Sequence, residues 1–323
     1  MIIQPQDITF DKEPFSMLIY GSPNIGKTTL AMTAPNPLLI DLEHGYTRTS
    51  PAHRCQVSWP TNPNMHPYEE IKADVENADA YETIIFDTGA ALIQLMKDWA
   101  AKKKGTVLRN GEFDMRRGFG VVNAEFESLT SYIKNVLKKN IIYLFHPVES
   151  QDNAGNSYIR LMCEGKVKNT VWNSCDFGAY YQYIGNKRTL CFQQTDEYFT
   201  KHCHRIDQNL TVPEFPADRR SAFLTDEVFS KAHANIEEET KFYAAEKEQY
   251  KLVMDSAKQM IETITDAESA TRVCKDILAL KHALTSKKEC SNMLKQKASS
   301  LGLRYNKSTD SYIPKEDQSC GAV

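Results

Sequence analysis

The chain lacks long hydrophobic runs, closely spaced cysteines and a basic N-terminal segment followed by apolar residues. Its longest apolar stretches, near residues 84–86 and 141–145, are much shorter than the roughly 20 residues of a membrane-spanning helix, so we expect no membrane span. The 8 cysteines show no C-x-x-C spacing, which indicates reduced thiols rather than a disulfide framework. Without a visible signal sequence, we expect a cytoplasmic protein.

The chain also lacks a strong excess of either charge. Lys and Arg total 39 and Asp and Glu total 42, which gives a formal charge of −3 at pH 7. This balance excludes a protein that coats nucleic acid through a uniformly basic surface, but it allows a local basic patch. The length of 323 residues is enough for two domains, or for one large domain with an appendage.

Short apolar runs alternate with helical patterns in the first two thirds of the chain. The runs at residues 16–20, 38–41, 83–87 and 140–145 are typical of strands buried on both faces. Helical patterns at residues 90–101 and 121–138 separate the last two runs, so we predict an α/β fold with a mainly parallel sheet. Gly185 and Asn186 indicate a hairpin, which predicts that the sheet ends in antiparallel strands, continuing over residues 198–206.

The pattern becomes helical after Pro213 and Pro216. Apolar residues recur with helical spacing over residues 250–264 and 273–284, and again over residues 290–301. We therefore predict two domains, an α/β domain over residues 1–225 and a helical C-terminal domain over residues 235–323.

Residues 21–29 match the phosphate-binding pattern GxxxxGK[ST] without a mismatch, between an apolar strand and a helical stretch. The glycines let backbone N–H groups surround phosphates, and Lys27 would contact the β- and γ-phosphates. The hydroxyl of Thr28 would ligate Mg²⁺. The residues predicted to hold the nucleotide are Gly21, Ser22, Pro23, Asn24, Ile25, Gly26, Lys27, Thr28 and Thr29.

Asp87 ends the apolar run at residues 83–87, which is the position of a Walker B carboxylate. A carboxylate at the end of a buried strand beside the phosphate-binding loop can hold Mg²⁺ through water. The alternative is a cap on the following helix, before Thr88. We predict that Thr28 and Asp87 form the metal site.

Glu43 follows the second apolar strand, between Asp41 and Gly45. A carboxylate across the γ-phosphate from Lys27 can orient and deprotonate an attacking water, although an ordinary solvated loop acid would have the same pattern. Together with the Walker motifs, this segment resembles the RecA-like ATPases, in particular phage-encoded recombination ATPases described as AAA-domain or phage nucleotide-binding proteins. The resemblance covers roughly residues 12–210; Asn24 and Ile25 depart from it where the family more often has small residues.

The resemblance implies ATP with Mg²⁺ and a catalytic set of Glu43, Lys27 and His146. His146 ends the fourth apolar run, where RecA-like proteins have a polar sensor that connects the γ-phosphate to the DNA-binding loop. A strand-end histidine satisfied by the backbone is the alternative.

Two segments match the positions of the DNA-binding loops in the family. Residues 97–120 carry seven basic and three acidic residues with four glycines, so we expect a mobile loop, while residues 148–173 add Trp172 and further basic residues. Basic side chains neutralise phosphates and an aromatic ring stacks on bases, although lysines at residues 102–104 are also typical of a solvated helix end. The predicted DNA-binding residues are Lys102, Lys103, Lys104, Arg109, Arg116, Arg117, Lys166 and Lys168.

The resemblance also implies a homo-oligomer, ring or filament, with ATP at the subunit interface. Lys201 and Arg205 stand where the family has basic residues that reach the neighbour's γ-phosphate, or they are ordinary charges on an edge strand. The implied function is an ATPase, stimulated by single-stranded DNA, in phage-type homologous recombination or strand annealing in a bacterial cytoplasm. A small-molecule kinase with a lid at residues 109–117 and a nucleotide-switched assembly module remain alternatives.

Overall fold

A computed structural model describes residues 13–151 and 155–315 of the chain. Contacts divide the described residues into two compact units, one ending at Ile236 and the other starting at Glu237. The first unit contains the following elements: β1 (Ser16–Gly21), α1 (Lys27–Ala31), β2 (Pro37–Asp41), β3 (Gln56–Ser58), α2 (Pro67–Glu76), β4 (Thr83–Asp87), α3 (Gly89–Ala101), α4 (Arg117–Ser131), β5 (Asn140–Phe145), β6 (Pro147–Gln151), β7 (Ser157–Leu161), α5 (Val167–Ser174), β8 (Phe177–Ile184), β9 (Lys187–Cys191) and β10 (Asn209–Thr211).

An eight-stranded sheet forms the centre of the first unit, in the order β10-β9-β8-β1-β5-β4-β2-β3. Pairing is parallel from β8 to β3 and antiparallel for β8 with β9 and for β9 with β10. The predicted α/β fold with a mainly parallel sheet and antiparallel edge strands is therefore confirmed. β5 lies between the strand that leads into the phosphate-binding loop and the strand that ends at Asp87.

The central strands are buried because both faces of the sheet are covered. Every residue of β1, β2, β4 and β5 is buried. Alternate side chains of a strand point to opposite faces, so Leu18 and Tyr20 join the core under α2 to α5, whereas Met17 and Ile19 pack with α1 on the other face. This two-sided burial explains the continuous apolar runs in the sequence.

Two local predictions need correction. Residues 198–206 do not form a strand: Tyr198 and Lys201 make only isolated bridges, and the last strand of the sheet is β10. The predicted helix over residues 121–138 begins earlier, at Arg117, and passes after Ser131 into a π-helical turn, Tyr132–Val136. The antiparallel hairpin of β6 and β7 has no counterpart in the prediction, because its strands are short and half-exposed rather than apolar.

The second unit is mainly helical, as predicted. The long helix α6 (Lys231–Glu262) begins in the first unit and is followed by α7 (Ala267–Ala279), α8 (Ser286–Ser300), β11 (Leu303–Asn306) and β12 (Ser311–Pro314). Its core includes Val253, Ile277 and Leu294, one from each helix, with Tyr312 of the unpredicted hairpin. Within the described residues, no helix is long and apolar enough to span a membrane.

We expect Asn140→Ala to destabilise the first unit. The Oδ1 atom of buried Asn140 accepts the backbone N–H of Phe15 at 2.8 Å, and this is how the start of β5 holds the residue before β1. Removal of the acceptor leaves a buried N–H without its partner, which should lower the free energy of unfolding by about 1–3 kcal/mol. Urea unfolding followed by tryptophan fluorescence measures this effect, because all 3 tryptophans lie in the first unit.

The control is Asn135→Ala, which removes an exposed amide that donates to Ser131 Oγ at 3.0 Å. Its unfolding midpoint should stay close to that of the wild type. Equal midpoints for the two variants would contradict the role of Asn140.

Candidate active site

The chain turns from β1 into α1 through a loop with two residues in the left-handed backbone region. Gly26, directly before α1, has φ 101°, and Asn24 has φ 61°. Glycine adopts this conformation without steric cost, and asparagine is one of the few other residues that tolerate it. The departure of Asn24 from the usual motif is therefore compatible with the loop backbone.

Lys27 is buried and its ammonium group is held by the loop itself. Nζ donates to the carbonyl oxygens of Gly21 at 2.8 Å and Ser22 at 3.0 Å, and it lies 3.5 Å from Nδ1 of His146. Burial lowers the pKa of Lys27, and the carboxylates of Asp87 and Glu43 oppose that shift. The lysine thus provides a positive charge at the mouth of the loop, where phosphates would lie.

Thr28 and Asp87 contact each other directly. Thr28 Oγ1 donates to Asp87 Oδ2 at 2.6 Å. Burial raises the pKa of Asp87, and the hydrogen bond from Thr28 partly opposes the shift. Hydroxyl and carboxylate oxygens are the protein ligands that Mg²⁺ prefers, so this pair fits a magnesium site beside the loop.

The helix after Asp87 is capped by Thr88 and not by Asp87 itself. Thr88 is the N-cap of α3, and its Oγ1 accepts the N–H of Ala91 at 3.3 Å. The same hydroxyl donates to Glu43 Oε1 at 2.6 Å. One threonine therefore starts the helix and fixes the carboxylate of Glu43 at the edge of the sheet.

Asp41 organises the loop that carries Glu43, a role that the sequence analysis missed. The side chain of Asp41 is 1% exposed, and its two oxygens accept the backbone N–H groups of Gly45 at 3.0 Å and Tyr46 at 2.9 Å. These bonds fold the chain back directly after β2. An aspartate at a strand end followed four residues later by glycine is a turn signal that was available in the sequence.

The imidazole of His146 lies between the two other predicted catalytic residues. Nδ1 is 3.5 Å from Lys27 Nζ, and Nε2 is 3.5 Å from Glu43 Oε2. With hydrogen on Nε2, the imidazole can accept from the ammonium at Nδ1, while Nε2 faces the carboxylate as a longer polar contact. The structure thus brings Lys27, Glu43 and His146 together.

These residues line a cavity of about 400 Å³, which also includes two arginines that the sequence analysis missed. One is Arg48, which follows the Glu43 loop, and the other is Arg188, on the antiparallel strand β9. A Cβ atom on Gly26 would lie 3.7 Å from Nη1 of Arg188, and Nε of Arg188 donates to Tyr183 Oη at 3.2 Å. Both arginines come from the same chain as the phosphate-binding loop.

The first predicted DNA-binding segment contains local hydrogen-bonded structure between α3 and α4. Val107 and Phe113 form a bridge, and Asp114 Oδ1 accepts the N–H groups of Arg116 and Arg117 where α4 starts. The six predicted basic residues of this segment are exposed, and none lines the 400 Å³ cavity: Lys102, Lys103, Lys104, Arg109, Arg116 and Arg117.

The second predicted segment comprises the β6–β7 hairpin, the following loop and α5. Lys166 is exposed directly before α5, whereas Lys168 is half-buried and lines a separate cavity of about 530 Å³.

Lys201 and Arg205 occupy different environments. Lys201 Nζ donates to the carbonyl oxygens of Trp172, at 3.3 Å, and Cys175, so in the single chain its ammonium group caps the end of α5. Arg205 is exposed in the loop before β10. Their action on a neighbouring subunit stays a prediction.

Two comparisons relate this chain to known proteins. Residues 13–204, more than half of the chain, match the family model described as an AAA domain. No curated protein matches the chain. Among solved structures, the chain is similar to the RadB recombinase crystal structure, with 13% identity and a TM-score of 0.36 over 56% of this chain and 81% of that chain. The chain therefore belongs to the AAA-domain family.

Proposed function

We propose that this protein is an ATPase that binds ATP with Mg²⁺ and couples hydrolysis to binding of single-stranded DNA, in phage-type homologous recombination or strand annealing. The observation that carries the proposal is the contact of His146 with both Lys27 and Glu43, next to the Thr28–Asp87 pair. Recognition of γ-phosphate, activation of water and retention of metal all require groups at this one edge of the sheet.

The loop residues at positions 21–29 would bind the phosphates. Their backbone N–H groups and Lys27 supply positive charge to the β- and γ-phosphates, while Thr28 and Asp87 would hold the metal. Bound Mg²⁺ neutralises charge on the phosphate oxygens. Arg48 and Arg188 line the same cavity, and we propose that they add positive charge from within the subunit.

Glu43 would orient and deprotonate the attacking water. Its Oε1 is fixed by Thr88, and its Oε2 faces Nε2 of His146 at 3.5 Å, so both carboxylate oxygens have polar neighbours in the same chain. A carboxylate held in this way needs little rearrangement when the substrate binds, which favours catalysis.

His146 would transmit the state of the nucleotide to the β6–β7 hairpin. The hairpin starts at Pro147, and the backbone carbonyl of His146 accepts the N–H of Met162 at 2.7 Å, on the far side of the hairpin. Both ends of the hairpin are therefore attached to the histidine. A change in the contact of His146 with Lys27 or Glu43 would move the segment predicted to bind DNA.

We also propose a homo-oligomer with ATP at the subunit interface, in which Lys201 or Arg205 contacts the neighbouring nucleotide, and a location in the bacterial cytoplasm. The domains would be residues 1–225 for ATP hydrolysis and residues 235–323 for the helical addition. The kinase alternative is less favoured, because Arg109, Arg116 and Arg117 do not line the nucleotide cavity.

Glu43→Gln tests the proposed function. The amide keeps the size of the side chain but cannot accept a proton, so ATP turnover should fall at least about 100-fold. Phosphate release is measured with and without oligo(dT); the wild type should be accelerated by DNA, and the variant should stay slow under both conditions. ATP affinity should change little, which separates catalysis from binding.

Unchanged turnover in Glu43→Gln would favour the nucleotide-switched assembly module. ADP production that requires a nucleoside acceptor and ignores DNA would favour the kinase.

Asp87→Asn should separate stability from metal binding. Because burial raises the pKa of Asp87, ionisation of this carboxyl is less favourable in the folded chain than in the unfolded chain, and the contribution of the group to stability is lost as the pH rises through the raised pKa. The neutral amide should therefore leave the unfolding temperature at neutral pH equal or higher. The affinity for an ATP analogue in the presence of Mg²⁺ should fall about 10–100-fold.

The matched control is Asp98→Asn, a change at an exposed carboxylate on α3. It should alter neither the unfolding temperature nor the affinity for the ATP analogue. Wild-type affinity of Asp87→Asn in Mg²⁺ would contradict the metal site.

A further inference from the structure

A second cavity, of about 530 Å³, lies between β7, α5 and the loop after β9. It shares no residue with the 400 Å³ nucleotide cavity. Its aromatic lining residues are Tyr158, Trp172, Tyr198 and Phe199, and its charged lining residues are Arg160, Lys168 and Asp196. The loop at residues 194–199 has no role in the ATPase proposal.

The aromatic wall of this cavity combines one fixed ring with one exposed ring. Trp172 packs edge-on against Tyr20, with ring centroids 5.9 Å apart, and a Cβ atom on Gly178 would lie 2.1 Å from the indole. Phe199 contacts Trp172 edge-on at 4.7 Å and is still 45% exposed. The structure therefore presents the apolar ring of Phe199 to solvent on a rigid support.

Cations stand beside the aromatic wall. Lys168 lines the cavity from α5, and the Arg160 guanidinium lies over the Tyr158 ring, 4.2 Å from its centroid. Asp196 is the carboxylate of the same lining, so the balance is two cations to one anion. Amide side chains of Asn169, Asn173 and Gln194 add donors and acceptors.

We propose that this cavity binds one nucleobase of a single-stranded DNA, stacked on Phe199, with Lys168 and Arg160 on the adjacent phosphates. The inference rests on the proposed function and extends it to a defined base site. Flat aromatic surface, positive charge and amide groups together match a nucleotide, and base stacking on aromatic side chains is tolerant of sequence. Through β7, the base site connects to the hairpin that starts beside His146.

The test is Phe199→Ala in the full chain, with binding of fluorescent oligo(dT) measured by anisotropy in the presence of a non-hydrolysable ATP analogue. Loss of one stacked base should weaken binding about 5–100-fold. Phe199→Trp should restore binding because it restores the stacking surface. Phe242→Ala is the matched control: Phe242 is 68% exposed and lies on α6, outside the cavity.

An abasic oligonucleotide of the same length separates stacking from charge. It should bind the wild type and Phe199→Ala equally, because it has the phosphates but no bases. If Phe199→Ala weakened binding of the abasic strand as much as binding of oligo(dT), the proposal would be overturned, because Phe199 would then act through the fold. Free dTMP should bind far more weakly than oligo(dT); equal affinity would identify a site for free nucleotides and overturn the assignment to a strand.

Different results would contradict DNA binding and the base site. If the wild type binds no oligo(dT), the proposed function itself is wrong. If the wild type binds oligo(dT) and Phe199→Ala binds it equally well, the base site is wrong while DNA binding stands. Urea unfolding midpoints that match the wild type establish that the alanine variant is folded.

Discussion

The parallel pairing of β2, β4, β5 and β1 is the constraint on which the candidate active site depends. In this register Asp41 lies opposite Asp87, and Tyr20 lies opposite Phe145. Gly21 follows Tyr20 at the end of β1, and His146 follows Phe145 at the end of β5. Because parallel strands end at the same edge, groups from four distant parts of the sequence meet there without any flexible connection.

Burial at this edge makes each charged group depend on a particular partner. The carboxylate of Asp41 accepts backbone N–H groups of the following loop, whereas the carboxylate of Asp87 accepts the hydroxyl of Thr28. Burial raises the pKa of Asp87 and lowers that of Lys27, so the charged form of each group is less favourable here than in water. Phosphates and a divalent cation carry the opposite charges, and their binding would favour the charged forms of both side chains.

The phosphate-binding loop and most strands of the sheet could be predicted from the sequence. The loop requires fixed residue types, and burial on both faces of the sheet produces continuous apolar runs. The prediction failed where structure depends on long-range pairing. Arg188 reaches the phosphate-binding loop only because β9 folds back beside β8, and β8 pairs with β1. The predicted strand at residues 198–206 was wrong, because Tyr198 and Lys201 make only isolated bridges. Tyr198 and Phe199 of this segment line a cavity. No local pattern relates that segment to α5, so the second cavity could not be predicted.

We propose that the state of the bound nucleotide controls the affinity for single-stranded DNA through His146. The most direct measurement is the affinity of one protein preparation for single-stranded DNA, first with a non-hydrolysable ATP analogue and Mg²⁺, then with ADP and Mg²⁺. We expect tighter binding with the analogue, and by thermodynamic linkage an equal gain in analogue affinity when DNA is bound. Equal DNA affinities in the two nucleotide states would show that the nucleotide does not control DNA binding.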